Sequence, residues 1–382
     1  MDPRQLTARI REEAFKLDFS AVGVARAQPL EGERFLEWLE RGFHGEMAYM
    51  ATDPERRLDP TRLLPGVRSV ISLAMLYRHL DSTRGSPDPS DSSSARGRIS
   101  KYAGGTDYHL VVGERLEALA AAIRRLEPES RTKIYVDTGP ILEKAWAVRA
   151  GLGWQGKNTN ILNRRIGSWF FLGEILTDLE LEYDEPVRDY CGSCTRCIDA
   201  CPTGALEPYI LDSRRCISYL TIELRGDTPE EHRQATGSWI FGCDICQDVC
   251  PWNRKSPFSP VVDLKPKPEV AENRLTTLAR LTPEEFSQRY RRTAIKRSKW
   301  RGLMRNVAVA LGNAGTSEAV SELERLLENE DSMLRRHAAW ALVRIGSQEA
   351  LQLLEKRKTI ETDPETRETI ESLLNRRDQF KT

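Results

Sequence analysis

The amino-acid sequence predicts an α/β (α+β) domain, followed by a cysteine-rich module and then by an all-α repeat domain. Three observations predict this order: strand-like apolar runs alternate with helical stretches, all eight cysteines fall in one window, and a helical segment recurs near the carboxy terminus. The predicted boundaries are 1–185 for the first domain, 186–258 for the module, 259–275 for a proline-rich linker and 276–382 for the repeats. A chain of 382 residues is long enough for two or three such domains.

The composition is typical of a globular protein without a strong charge. The 57 Lys and Arg residues balance the 57 Asp and Glu residues, so a polyanionic partner has to be bound by a local basic patch. The mean hydropathy is −0.51, and no apolar run approaches the length of a bilayer span. The amino terminus has the pattern of an amphipathic helix that contains acids, unlike an export signal. We therefore expect a cytoplasmic protein that does not contact a membrane.

Apolar runs predict the strands of the first domain at 21–24, 69–77, 133–136 and 168–172. The segment 78–98 is rich in Ser, Asp, Pro and Gly and is predicted to be an exposed loop. Asp137 follows the third run, at the end of a strand where open α/β sheets bind ligands. On the residues alone, Asp137 is either a proton donor or the N-cap of a helix that begins near Pro140.

The cysteine spacing predicts two 4Fe-4S clusters. A C-x2-C-x2-C-x3-C-P run begins at Cys191, and in this bacterial ferredoxin pattern the fourth cysteine ligates the neighbouring cluster. A shorter C-x2-C-x3-C-P run begins at Cys243 and lacks one ligand, which Cys216 can supply. The alternative is a pair of four-cysteine zinc sites, although these normally use two separated C-x2-C pairs. The predicted ligand sets are Cys191, Cys194, Cys197 and Cys250 for one cluster, and Cys201, Cys216, Cys243 and Cys246 for the other.

An internal repeat occupies the carboxy-terminal part of the chain. Residues 305–315 align with residues 336–346 at an offset of 31, and a helical stretch follows each copy. The pattern predicts a HEAT-like stack of two helix pairs, with 366–377 as part of a third. Two unrelated amphipathic helix pairs are the alternative, because matches of small residues can recur by chance.

A basic run precedes the repeat. Residues 289–305 contain eight Lys and Arg residues and no acid, interleaved with Tyr290 and Trp300. Such a run is typical of a surface that neutralises phosphates and stacks on bases, but it is also found on ordinary solvated faces.

Among the five histidines, His109 lies in a near match to the Asp-x-His-x-x-Gly motif by which some proteins ligate cobalamin. The segment has one residue too many, so His109 is interpreted as structural.

Four short motifs resemble those of the epoxyqueuosine reductase family. They are VDTGP around Asp137, GWQGKNT at 153–159, YAGGTDYH at 102–109 and WLERG-x-x-G-x-M at 38–47. The order of the three parts resembles the family too, and the resemblance extends over nearly the whole chain. It implies an oxidoreductase that carries cobalamin in the α/β domain beside two 4Fe-4S clusters. It also implies the reaction, which is reduction of epoxyqueuosine at the wobble position of tRNA to queuosine.

The resemblance gives Asp137 the role of proton donor, and we expect a poorly solvated site to raise its pKa. The implied partners are the anticodon stem-loop of tRNAs with a GUN anticodon and an external low-potential electron donor, and we expect a monomer. Residues predicted near the corrin are Arg57, Ser100, Tyr102, Asp137, Asn158, Asn160, Ile161, Leu172, Ser218 and Asp244. Residues predicted to bind tRNA are Lys296, Arg297, Lys299, Arg301 and Arg305.

Two other classes of function remain open at this point. A corrinoid and iron–sulfur reductive dehalogenase shares the pairing of cofactors, but it is usually exported and has no use for a basic repeat domain. A ferredoxin-like electron-transfer protein would serve another subunit, with a flavin in the α/β domain. Corrinoid or flavin absorption bands and a tRNA-binding assay distinguish these classes.

Overall fold

A computed structural model describes residues 1–80 and 95–380. Most of the predicted loop 78–98 lies outside the described residues, so that prediction stays a prediction. The chain forms two compact units, each assembled from segments that are distant in sequence. The described part of the first unit is 1–80, 101–214 and 244–266, and that of the second is 95–100, 215–243 and 267–380.

The first unit is built on a four-stranded sheet. Its strands in chain order are Ala21–Arg26 (β1), Ser69–Leu76 (β2), Thr132–Tyr135 (β3) and Phe170–Thr177 (β4). They lie side by side in the order β1-β2-β4-β3, and every neighbouring pair is antiparallel. The strands lie close to where the apolar runs predicted them, and the pairing makes the domain α+β. An antiparallel sheet has no parallel switch point, so the analogy that placed a ligand site at the end of β3 does not apply.

Helices cover both faces of this sheet because alternate residues of its central strands point to opposite sides. Ile71 and Leu73 of β2 pack into the core formed with helices Pro3–Lys16 (α1) and Tyr108–Leu126 (α2). On the other face, helix Glu143–Arg149 (α3) packs its Trp146 and Ala147 against the sheet. Helix α2 precedes β3 in the chain and α3 follows it. The first residues of both helices can contact the loop that follows this strand.

Shorter elements complete the first unit. Two small antiparallel pairs join Trp154–Gln155 to Ile161–Leu162 and Leu206–Glu207 to Ile210–Leu211. The short helices are Glu33–Glu40, Ala48–Ala51, Pro54–Leu58, Arg196–Asp199 and Ile245–Asp248.

The second unit is mainly helical and contains the predicted repeat. Its long helices are Lys299–Ala314 (α4), Ala319–Leu327 (α5), Ser332–Ile345 (α6), Gln348–Ile360 (α7) and Pro364–Asn375 (α8). The equivalent helices α4 and α6 both end at a left-handed glycine, Gly315 at φ +67° and Gly346 at φ +65°. The two helices also approach closely, because a Cβ on Gly312 would lie 2.7 Å from Cα of Ala341. Stacking of equivalent helices confirms the repeat.

The remaining elements of the second unit are short. Strand Arg98–Ile99 pairs in parallel with Trp239–Phe241. Across residues 1–80 and 95–380, no helix combines the length and apolar character that a membrane span requires. The short helices are Ile217–Ile222, Glu230–Thr236, Pro268–Ala271, Leu275–Ala279 and Pro283–Arg289.

Candidate active site and cluster cysteines

Asp137 lies in the loop between β3 and α3 and does not cap a helix. Helix α3 begins at Glu143 rather than near Pro140, and its N-cap, Leu142, makes no side-chain cap. The capping interpretation of Asp137 is therefore wrong. Asp137 adopts a left-handed backbone conformation with φ +54°, which is unfavourable for a residue with a side chain. Contacts from the surrounding structure must hold it there.

Three side chains supply those contacts. Tyr108 Oη donates a hydrogen bond to Asp137 Oδ2 at 2.5 Å, and His109 Nε2 lies 3.4 Å from the same oxygen. The backbone N–H of Asp137 donates to Oε1 of Glu143 at 2.7 Å. Asp107 Oδ1 lies 2.7 Å from Nδ1 of His109. His109 is therefore placed between two carboxylates, and its interpretation as a structural residue rather than a cobalamin ligand stays a prediction.

These contacts set the protonation states. Burial lowers the pKa of His109, but its hydrogen bonds to Asp107 and Asp137 outweigh burial and raise the pKa to about 9. Burial raises the pKa of Asp137, but the hydrogen bonds from His109 and Tyr108 leave it below the usual value. Its side chain is 61% exposed, which is consistent with the ionised form. The protein residues around Asp137 therefore lower its pKa, and the proton of the pair resides on His109. The expected increase beside a bound corrin stays a prediction.

Two further carboxyl groups in this region have raised pKa values; Glu174 is buried and Glu143 is half-buried. Burial, followed by the charge of Asp137, raises the pKa of Glu143 to about 8. Burial also raises the pKa of Glu174 on β4 well above its usual value, although Ser72 Oγ donates a hydrogen bond to it at 2.6 Å. Glu143 is therefore mostly protonated at neutral pH, and burial favours the protonated form of Glu174 as well.

An aromatic path leads from Asp137 to the cysteine-rich segment within the first unit. The ring of Tyr108 stacks on Phe171 with centroids 4.4 Å apart, and Phe171 contacts Tyr77 at 4.6 Å. Tyr102 makes edge contacts with Tyr108 and Phe171 at 6.0 and 6.3 Å. Burial and then the nearby Asp244 carboxylate raise the pKa of Tyr77, and the Cys246 thiol acts in the same direction.

A second path returns from Cys246 to Asp137. Asn158 Nδ2 donates to the carbonyl of Cys246 at 3.3 Å, and Asn160 Nδ2 lies 4.0 Å from its sulfur. Lys144 Nζ donates to the carbonyl of Thr159 at 3.0 Å, and its charge also acts on Asp137. Tyr77 and Cys246, and likewise Lys144 and Asp137, interact electrostatically. With these two electrostatic interactions the paths close a ring, which we call the contact circuit. Its members are Asp137, Tyr108, Phe171, Tyr77, Cys246, Asn158, Thr159 and Lys144.

Most residues predicted near the corrin belong to this region of the first unit. Tyr102, Asn158, Asn160, Asp137 and Asp244 are in or beside the contact circuit. Arg57 is buried and directs a guanidinium nitrogen to the carbonyl of Gly139, in the Asp137 loop, at 3.5 Å. Ile161 is buried and Leu172 is half-buried. Ser100 and Ser218 belong to the second unit.

The four cysteines of the first predicted set all belong to the first unit and interact electrostatically with one another. Burial raises the pKa of the Cys250 thiol, and Cys191, Cys197 and Cys194 raise it further because they lie close by. Cys201 and Cys246 also belong to the first unit, whereas Cys216 and Cys243 belong to the second. Within the described chain, all eight cysteines are thiols that are not joined in disulfides. The donors present therefore suit thiolate-ligated iron–sulfur clusters.

The basic run contains both exposed and buried cations. Lys296, Arg297, Lys299 and Arg301 are exposed, although Arg297 pairs with Glu223 and Arg301 with Asp331. Arg305 is fully buried, and its guanidinium donates to the carbonyls of Leu220, Leu224 and Gly226. A buried side chain cannot contact a phosphate backbone, so the prediction that Arg305 binds tRNA is wrong.

Sequence reasoning missed three residues of the site: Tyr108, His109 and Glu143. The only local signal was the YAGGTDYH motif, which was noted for its resemblance and whose histidine was then interpreted as structural. Glu143 gave no signal because a glutamate in the first turn of a helix is common.

Three family models match the chain. They are described as Epoxyqueuosine reductase QueG, over residues 57–138, a 4Fe-4S double cluster binding domain, over 190–253, and HEAT repeats, over 301–375. Among curated relatives, epoxyqueuosine reductase of Leadbetterella byssophila is 44% identical over 80% of this chain and 98% of its own length. The Escherichia coli enzyme of the same name is 41% identical over 90% of each chain.

Solved structures agree with these matches. An epoxyqueuosine reductase with an epoxyqueuosine-modified tRNA-Tyr stem loop superposes with a TM-score of 0.90 and 33% identity, over 97% of this chain and 98% of that chain. A Bacillus subtilis epoxyqueuosine reductase, whose catalytic aspartate loop is swung out of the active site, gives a TM-score of 0.89 and 32% identity over the same fractions.

The fold, the eight thiols and the double-cluster match define an iron–sulfur oxidoreductase with two 4Fe-4S clusters and a HEAT-repeat domain. Relatives that are more than 40% identical over most of this chain then specify the family. The chain belongs to the epoxyqueuosine reductase family, and this membership removes the reductive dehalogenase and the separate electron-transfer protein as alternatives.

Proposed function

We propose that this enzyme reduces epoxyqueuosine at the wobble position of tRNA to queuosine, with electrons from its two clusters, a cobalamin and a proton delivered by Asp137. The contact circuit carries this proposal, because it joins Asp137 to Cys246 within one unit. The substrate is supported by the related structure that contains an epoxyqueuosine-modified stem loop. We propose tRNAs with a GUN anticodon as substrates and a monomer as the active form.

The residues around Asp137 fit a cobalamin. Arg57 Nε is buried without a hydrogen-bond partner in the described residues, so this donor is available to an amide carbonyl on a corrin. Asn158, Asn160, Tyr102 and Asp244 add polar groups nearby. When bound, cobalamin supplies the low-potential centre that reduces an epoxide carbon. Other residues that we propose to hold it are Asp137, Ile161, Leu172, Ser100 and Ser218.

The proposed cluster ligands follow the cysteine spacing. The proximity of Cys191, Cys194, Cys197 and Cys250 supports them as one set. The second set, Cys201, Cys216, Cys243 and Cys246, is proposed from the spacing of the two runs alone. Each cluster carries one electron at a time, whereas the reaction needs two, so an external low-potential donor has to reduce the enzyme twice per turnover.

The chain supplies protons through Asp137 and His109. Converting an epoxide to an alkene and water consumes two electrons and two protons. Asp137 begins the reaction ionised, so the proton that it delivers to the departing oxygen comes from His109, which holds a proton 3.4 Å from Asp137 Oδ2. Tyr108 and Glu143 keep the carboxylate oriented. The exposed side of Asp137 admits the second proton from solvent.

The exposed cations of the basic run are the proposed tRNA contacts. These cations lie on the surface of the second unit and are Lys296, Arg297, Lys299 and Arg301. Contacts between cations and backbone phosphates do not depend on the base sequence, so these side chains fit the phosphates of an anticodon stem. The two arginines keep about half of their side chains exposed despite their ion pairs. Phosphates can therefore compete with their carboxylate partners.

Anaerobic turnover tests the proposal. Holoenzyme, cobalamin, reduced methyl viologen and an epoxyqueuosine-containing stem loop are expected to yield a nucleoside that has lost one oxygen, detected by mass spectrometry. Asp137→Asn is expected to bind iron, cobalamin and stem loop normally but to lower the rate by about 10²–10⁴-fold, because the amide cannot supply a proton. Full activity of this variant contradicts the proton-donor role, and the absence of product with the wild-type enzyme contradicts the function.

A further inference from the structure

We propose that an acidic one-electron carrier protein docks on a face formed by Arg164, Tyr190 and Arg188 and reduces the enzyme there. The proposal deepens the proposed function, because it names the kind of donor that function requires and the place where the donor binds. We call these three residues the Tyr190 face.

Two guanidinium groups lie against one aromatic ring in this face. Cζ of Arg164 lies 4.8 Å and Cζ of Arg188 lies 4.7 Å from the centroid of the Tyr190 ring. Both arginines are exposed, and Tyr190 is partly exposed. In residues 1–80 and 95–380, neither arginine has an ion pair with a carboxylate. An exposed pair of cations held in fixed positions by a ring attracts a negatively charged surface.

The Tyr190 face leads directly to cysteines of the first predicted cluster. Tyr190 packs edge-on against Trp154 at 5.2 Å and Trp252 at 5.9 Å. Cys250 is buried in the same hydrophobic group, and Cys191 packs against it. A protein that covers Tyr190 therefore lies close to two cysteines assigned to that cluster.

A third cation strengthens the positive potential at this place. Lys157 Nζ donates to the carbonyls of Gly192 and Cys194, at 2.7 and 3.1 Å, within the loop of the first cysteine run. The nearby Asp189 carboxylate is used internally, because it accepts hydrogen bonds from the backbone N–H of Cys191 and from Tyr209 Oη. Asp189 stays ionised, but the three cations Arg164, Arg188 and Lys157 outnumber it, and an excess of cations favours an acidic partner over a basic one.

The chemistry of the clusters selects the class of partner. A nicotinamide nucleotide gives up two electrons as hydride, whereas a 4Fe-4S cluster accepts one electron. A small acidic protein with a flavin or iron–sulfur centre matches this requirement. In each encounter the carrier is oxidised by one electron and the cluster is reduced by one, so two encounters support one turnover.

Binding of oxidised acidic flavodoxin to anaerobically purified holoenzyme tests the proposal without turnover. The double charge reversal R164E/R188E is expected to weaken the Kd on the order of tenfold at low salt and to abolish most of its salt dependence. The matched control is R4E/R125E, which makes the same change in net charge at two exposed arginines on α1 and α2. It is expected to change the Kd less than twofold. R164Q/R188Q removes both charges without reversing them and is expected to have an intermediate effect, so it controls for misfolding caused by charge reversal. The iron content of each variant shows whether the clusters are present.

Turnover gives a second readout. R164E/R188E is expected to lose activity with reduced flavodoxin but to keep wild-type activity with reduced methyl viologen, which does not need a docking surface. Unchanged flavodoxin affinity in R164E/R188E, or an equal loss in the control, overturns the proposal. Weakened stem-loop affinity with normal flavodoxin affinity also overturns it, because the face then binds nucleic acid. Failure of the wild-type enzyme to reduce epoxyqueuosine with viologen contradicts the proposed function, and the flavodoxin affinities remain interpretable.

Discussion

His109 of the first unit and His337 of the second unit have pKa values shifted in opposite directions. Burial lowers the pKa of His109, but two carboxylates outweigh burial and raise it to about 9. Burial lowers the pKa of His337 well below its usual value, and the charge of Arg233 adds to this shift. His337 Nε2 accepts the N–H of Thr228 at 3.1 Å, and Nδ1 donates to the carbonyl of Met333 at 2.8 Å. His337 is fully used by the fold, whereas His109 holds a proton beside an exposed carboxylate.

The carboxylates of the two units differ in the same way. Asp137 is 61% exposed and shares a proton with His109, whereas Glu361 is fully buried and paired with Arg335 and Arg357. Burial raises the pKa of Glu361, but hydrogen bonds, first from Arg335, lower it to about 2. The difference indicates that a titratable side chain whose partners are all internal has a structural role. A titratable side chain that is exposed and shares a proton with a neighbour has a chemical role.

Arg335→Ala is expected to have the largest effect, on stability. Removing one partner of a buried ion pair costs about 3 kcal/mol or more, because Glu361 keeps a desolvated charge. The pKa of Glu361 is depressed, so its contribution is present above its ordinary pKa of 4.5 and is lost as the pH falls towards about 2. The difference in the free energy of unfolding between the wild type and Arg335→Ala, measured by urea unfolding at pH 7, is thus expected to become smaller in acid.

Arg357→Ala is the matched control for this prediction. Arg357 pairs with the same carboxylate but is more exposed, so its removal is expected to cost less. Viologen-driven activity per folded molecule is expected to be normal in both variants. A loss of activity without a loss of stability in Arg335→Ala contradicts its structural role.

Local sequence patterns accounted for the strands, the cysteine runs and the repeat. A continuous apolar run predicted β2, and the glycine that ends α4 and α6 recurs in the sequence at the same offset as the rest of the repeat. Ligand spacing is also local, since three cysteines of the first cluster lie within seven residues. Such features depend on neighbours in the chain and can therefore be inferred from it.

The protonation of the site and the burial of Arg305 could not be inferred because both depend on distant contacts. Tyr108 and Asp137 are 29 residues apart and meet only when the start of α2 packs near the end of β3. Arg305 stands in a run without acids, but its acceptors are carbonyls about 80 residues earlier, such as those of Leu224 and Gly226. A local excess of cations in the sequence does not show that one of these side chains is buried and hydrogen-bonded to main-chain carbonyls.

His109→Gln sharpens the comparison of the two histidines. Glutamine cannot hold a transferable proton, so the single-turnover rate is expected to fall about 10²-fold. In the wild type, His109 is protonated below its pKa of about 9, so the rate is expected to fall as the pH rises through that value. The variant is expected to lack this alkaline limb. His232→Gln, in the second unit, is the control, and an unchanged pH profile in His109→Gln contradicts the reservoir role.

Glu143 is expected to act by positioning Asp137. Glu143→Ala removes the acceptor for the backbone N–H of Asp137, and the left-handed conformation then loses a hydrogen bond that contributes about 0.5–1.5 kcal/mol. The rate is expected to fall about tenfold, with faster hydrogen exchange of the Asp137 loop. Because burial raises the pKa of Glu143 to about 8, the neutral Glu143→Gln imitates its protonated form and is expected to restore most of the rate. Equal losses in both variants contradict the positioning role.

Lys296 and Lys299 provide the smallest expected effect and a direct contrast with Arg305. Reversing both exposed charges in K296E/K299E is expected to weaken stem-loop binding about fivefold and to flatten its dependence on salt, because two phosphate contacts are lost. Arg305→Met is expected instead to lower the unfolding midpoint, because its removal leaves the carbonyls of Leu220 and Gly226 without their donor. Its folded fraction is expected to bind the stem loop with wild-type salt dependence. If Arg305→Met flattened that dependence while K296E/K299E did not, the basic run would act through the interior of the repeat domain rather than through its exposed cations.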